Sequence, residues 1–73
     1  MPPLPVVSAK KATKVFESVG WRFYRQKGSH MIFKKRGAAI QLAIPNHKEL
    51  GAGLLRGLIR DSGLSVEEFV NLL

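Results

Sequence analysis

An α+β fold of order α-β-β-β-α-α, with a three-stranded antiparallel sheet and the helices on one face, follows from three features of this 73-residue chain. Apolar residues recur at helical spacing in both the first and the last third. Between residues 21 and 44 the period falls to two, and Gly or Pro marks nearly every change. Strands joined by turns this short pair with their sequence neighbours, which makes the sheet a meander.

Ser8 caps a first helix whose apolar positions, Ala12, Val15, Phe16 and Val19, lie at i, i+3, i+4 and i+7; Gly20 ends it at C′. A strand begins at Trp21, with Trp21, Phe23 and Arg25 on one face and Arg22, Tyr24 and Gln26 on the other. Lys27-Gly28-Ser29 turns the chain into a second strand, His30 to Lys35. A tight turn at Arg36-Gly37 leads to a third strand, Ala38 to Ile44, with Ile40, Leu42 and Ile44 on one face and Pro45 as its end. A second helix runs from about Leu50 or Gly51 to Ser62, its stripe being Leu54, Leu55, Leu58 and Ile59. Glycines 51, 53 and 57 weaken it, so packing must hold it. Gly63 stops it, and Ser65-Val66-Glu67-Glu68 is a capping box opening a short last helix with Val66, Phe69, Val70 and Leu73 inward.

Seventy-three residues make one small domain with a modest core. Residues 8–73 are assigned to it, and the Pro-rich start, residues 1–7, reads as an extended, flexible tail without the basic and apolar regions of a signal peptide. No apolar run is long enough to span a bilayer, and the absence of cysteine fits a cytoplasmic home. The net charge is +7, and it is unevenly placed: residues 10–36 carry nine Lys and Arg against Glu17 alone, whereas residues 37–73 carry three against four acids. Such a surface suits a polyanion, nucleic acid first.

Most enzyme chemistry fails on inventory. There is no cysteine nucleophile, no Ser/His/Asp pattern, no phosphate loop of the strand-loop-helix kind and no converging set of carboxylates for two metals. His30 and His47 lack a matching third ligand, so neither a metal nor a cofactor is expected. One reaction stays within reach: RNA supplies its own nucleophile, the 2′-hydroxyl, and needs only proton transfer and cations for the phosphorane charge. Histidine suits the first task, Lys and Arg the second. Lys27-Gly28-Ser29-His30 sets a histidine after a basic turn at a strand start. Taken alone, His30 reads first as a surface or structural residue and only second as a catalytic one. His47, in Pro45-Asn46-His47-Lys48, reads as a helix cap, a phosphate ligand or an idle surface group.

Gly20-Trp21 through Gln26-Lys27-Gly28-Ser29-His30, followed by Ile32-Phe33-Lys34, resembles HicA-family toxins, whose first helix ends in Gly-Phe/Trp before a basic strand and Gly-Ser-His. The resemblance continues at Pro45-Asn46-His47 with Glu49-Leu50, at Gly53-Leu54-Leu55-Arg56, at Ile59-Arg60 and at Gly63-Leu64-Ser65, covering roughly residues 8 to 70. Departures are a short turn between the second and third strands, Leu54 where the family often has Thr, and the Pro-rich start.

The resemblance implies a double-stranded-RNA-binding-like fold, metal-independent endoribonuclease activity on mRNA, and a HicB-type antitoxin that covers the active site. It puts the catalytic histidine, a general acid or base, on His30. Arg25, Lys27 and Lys34 then become candidate phosphate ligands, a solvated basic strand being the plain alternative; Ser29 either meets substrate or shapes the turn, and His47 is a secondary candidate. Trp21, Phe23 and Phe33 are assigned to the core, and Tyr24, on the other strand face, is the stacking candidate.

Two rivals remain. One is a non-catalytic RNA-binding module sharing fold and face. The other is a DNA-binding helix-turn-helix over Leu58 to Leu73, weakened by acids at the start of its would-be recognition helix.

Overall fold

The computed structural model describes residues 3–73. The elements occur in the expected order: α1 (Ala9–Ser18), β1 (Arg22–Lys27), β2 (His30–Lys34), β3 (Leu42–Pro45), α2 (Ala52–Ser62) and α3 (Val66–Leu72). The strands form one antiparallel sheet of order β1-β2-β3.

Local chemistry sets the helix ends. The Ser8 hydroxyl accepts a hydrogen bond from Lys11 N at 3.1 Å, and Gly20, just beyond α1, takes a positive φ of 104°. Gly63 closes α2 in the left-handed region. At α3 the reciprocal box forms: Glu68 N donates to Ser65 Oγ and Ser65 N to Glu68 Oε1, at 3.0 and 2.8 Å.

The helices pack on one face of the sheet. Ala9, Ala12, Val15 and Phe16 of α1, Leu55, Leu58 and Ile59 of α2, and Phe69 of α3 join Phe33, Leu42 and Ile44 of the strands in one core. Phe16 meets Phe69 at 5.5 Å between ring centroids. Trp21 is fully buried, and its indole N–H donates to the Ser62 carbonyl at 3.4 Å, tying the end of α2 to the start of β1. No helix among the described residues is long and apolar enough to cross a membrane.

Five expectations need correction. Strand 3 begins at Leu42 rather than Ala38, because only Leu42 to Pro45 find partners on β2; Ile40, expected inward, is 50% exposed in the connecting loop. Pro45 is the last paired residue of β3, opposite His30 on an edge strand where its missing N–H is tolerated. Phe23, assigned to the core, is 53% exposed: β1 is an edge strand, so the ring touches Phe33 edge-on at 5.7 Å and is covered on no other flank by a strand. Leu54 and Leu73 are exposed, because they lie in the first turn of α2 and just past α3, where no neighbouring layer covers them. The fifth is the alternation in β1, described below.

Of the segment expected as a tail, Met1 and Pro2 lie outside the described residues. Val7 is buried and bridges antiparallel to Leu50, and Leu4 packs partly against the core.

Candidate nucleic-acid interface

The hairpin that carries His30 is built around Gly28. Lys27 pairs with His30, leaving Gly28 and Ser29 as a two-residue loop. Gly28 has φ +60°, and no non-glycine residue among the described residues has a positive φ, so only the first loop position is left-handed, the signature of a type II′ turn. The Gln26 side-chain amide donates to the Gly28 carbonyl at 3.0 Å and closes the turn. His30 therefore starts its strand in a fixed register, exposed to solvent.

Register then decides which side chains share its face, since directly paired residues project to the same side. On β2, Met31 and Phe33 join the core side; His30, Ile32 and Lys34 point to the face away from the helices. Opposite Ile32 is Arg25, opposite His30 is Lys27, and opposite Lys34 is Arg22. A bulge between Phe23 and Arg25 makes Tyr24 an extra residue in β1. Simple alternation sets Arg25 with Trp21 and Phe23; the bulge resets the phase and turns Arg25 outward beside Tyr24. The Lys34 ammonium lies 3.9 Å from the centre of the Tyr24 ring, and the Arg25 guanidinium 6.0 Å away.

The open face thus gathers Arg22, Arg25, Lys27, Lys34, His30 and Tyr24 around Ile32, which is 8% exposed yet outside the main core. No acidic residue lies on any strand. Among the described residues the one ion pair is Arg60–Asp61, on α2, so none of these cations is neutralised by a carboxylate. Arg22 opposite Lys34 is a pair that lends the sheet no attraction, and like charges so placed destabilise it. An anionic ligand is what would make such a face favourable. The sequence does not single out Arg22, although alternation already sets it on the face of Tyr24; its place opposite Lys34 comes from the strand pairing.

His47 and Ser29 are brought to the same end of the sheet. Asn46 N donates to the Ser29 carbonyl at 2.7 Å, and Ala9 N donates to the His47 carbonyl at 2.9 Å. The main chain of His47 thus serves the start of α1, while Gly51 stands at the N-cap of α2 without a side-chain cap. The imidazole of His47 is left exposed, as is Ser29. Among the described residues no three His, Cys, Asp or Glu side chains converge as metal ligands.

A family model described as "HicA toxin of bacterial toxin-antitoxin" matches residues 9–64, which includes the whole hairpin and the His47 loop. The chain belongs to the HicA toxin family. A solved structure titled "Toxin-Antitoxin complex from Streptococcus pneumoniae" contains a chain with the same fold, at a TM-score of 0.71 and 32% identity over 85% of this chain and 100% of that one. No curated protein matches by sequence. Within this HicA-family chain, the matched span runs from α1 to the turn after α2 and leaves α3 outside. All six residues of the open face lie within the span.

Proposed function

We propose that this chain is the toxin of a toxin–antitoxin pair, a metal-independent endoribonuclease that cleaves mRNA in the cytoplasm and is neutralised by a HicB-type antitoxin. The observation that carries the reading is the open sheet face: one exposed histidine at the edge of a rigid turn, surrounded by unpaired cations.

Cleavage proceeds by attack of the ribose 2′-oxygen on the adjacent phosphorus, with departure of the 5′-oxygen. His30 accepts the 2′-hydroxyl proton as general base. The leaving oxygen takes a proton from the imidazolium so formed or from His47. Lys27 and Arg25 hold the phosphate and stabilise charge on the phosphorane, Lys34 binds a neighbouring phosphate of the strand, and the Ser29 hydroxyl adds a hydrogen bond to the substrate. Products are a 2′,3′-cyclic phosphate and a 5′-hydroxyl. The antitoxin reading rests on family membership and on the similar chain of the Streptococcus pneumoniae toxin–antitoxin complex. A cationic face of this kind would attract an acidic antitoxin surface.

The test is cleavage of a labelled RNA in EDTA by wild type and His30→Ala side by side. The reading expects cutting by wild type alone, with cyclic phosphate ends, and a loss of at least about 100-fold in the variant. Equal cutting by both removes His30 from the mechanism. Binding by both without cutting replaces the enzyme by an RNA-binding module.

A further inference from the structure

The open face holds one group that proton transfer and phosphate binding leave unused, the Tyr24 ring. Tyrosine in an edge strand usually lies against its neighbours, but here the bulge lifts it out and leaves it 57% exposed. The Lys34 ammonium, 3.9 Å from the ring centre, steadies the ring and places a cation beside it. An exposed aromatic ring next to a cation on a flat sheet suits one ligand well, an unpaired base and its own phosphate.

Resting on the ribonuclease reading, we infer that Tyr24 is a base-stacking platform that positions the substrate at a nucleotide away from the cleaved bond. Register supplies the distance. The bulge holds Tyr24 between the Phe23–Phe33 and Arg25–Ile32 pairs, two to three residues along β2 from His30 and roughly 7–10 Å at the rise of a strand, so the base on Tyr24 sits one to two nucleotide steps from the phosphate at His30. Arg25, opposite Ile32, lies between the two points and can meet the intervening phosphate, while Lys27 stands beside His30 itself. The ring therefore selects for an unpaired nucleotide at that place and fixes the register of the strand over the histidine.

The experiment is an abasic scan. A synthetic RNA cleaved at one mapped bond is made with a single abasic nucleotide at each position in turn, and KM and kcat are measured for wild type, Tyr24→Leu and Tyr24→Phe. One abasic position, one or two nucleotides from the cleaved bond, should raise KM for wild type by roughly 5- to 150-fold, the span expected for one stacked base. Tyr24→Leu should show the same rise on intact RNA and no further rise on that abasic RNA, while Tyr24→Phe keeps wild-type behaviour. The salt dependence of RNA binding should not change in Tyr24→Leu, because no charge is removed. A flat abasic profile, or losses that multiply, overturns the inference and leaves a merely structural tyrosine. If wild type cuts no RNA, the ribonuclease reading fails separately. The same oligonucleotides then test the stacking by binding affinity, with the same two outcomes.

Discussion

His30 illustrates how little a single residue type says until its surroundings are known. Its strand register comes from Gly28, whose positive φ suits the first position of a two-residue turn, and from the Asn46–Ser29 bond that fastens the turn to the next loop. Trp21 is the opposite case, a residue whose role is wholly internal. It is the largest fully buried side chain, and it links α2 to the sheet. Trp21→Ala should cost about 3–5 kcal/mol, as large-to-small core substitutions do, a large share of what so small a domain has. The variant should show a greatly lowered melting temperature by circular dichroism; a shift of only a few degrees would mean that the cavity collapses.

At the scale of elements, β1 and β2 place basic residues against one another. Arg22 opposite Lys34 serves the sheet poorly and an anion well. Arg22→Thr is expected to raise stability by about 0.2–1 kcal/mol, read in urea unfolding, while weakening RNA binding. A variant that loses both would make Arg22 a structural residue.

The end of the chain carries a second device. The Ser65 backbone N–H, and next its hydroxyl, hold the Glu68 carboxyl below its ordinary value of 4.5. A group whose acidity is raised by folding stabilises the folded state above its unfolded pKa, and that contribution is lost as pH falls through the folded value. Glu68→Gln keeps an acceptor but cannot titrate. Wild type should therefore lose stability relative to Glu68→Gln as the pH drops below about 4.5, seen in melting temperatures at stepped pH. Parallel curves would show that the box contributes nothing that depends on charge.

For the whole molecule, the two-layer arrangement separates the tasks. The helices cover one sheet face and bury the core, and the cations of the strands are left on the other. Glu17, Glu49, Asp61, Glu67 and Glu68 all lie outside the sheet, so the positive field is not cancelled on the face itself. If Arg22, Arg25, Lys27 and Lys34 each meet a phosphate of a single strand, log K should fall with log salt at a slope of about −3. Titration of His30→Ala with a short RNA across salt concentrations gives this slope directly. A slope near zero would place the binding surface elsewhere.

The sequence by itself determined the order of elements, the caps at Ser8, Gly20, Gly63 and Ser65, and the placing of His30 after a glycine turn, because each depends on residues a few positions apart. It also showed that the charge is concentrated in residues 10–36. Periodicity failed where pairing intervened. The phase of β1 after Phe23, the exposure of Phe23, and the short β3 depend on which residues of β2 are available as partners, and a single extra residue at Tyr24 reverses every later side chain. The face uniting Arg22, Arg25, Lys27, His30 and Lys34 is thus a product of tertiary pairing: hydrogen bonds between strands, rather than any local preference, decide which side chains look outward together.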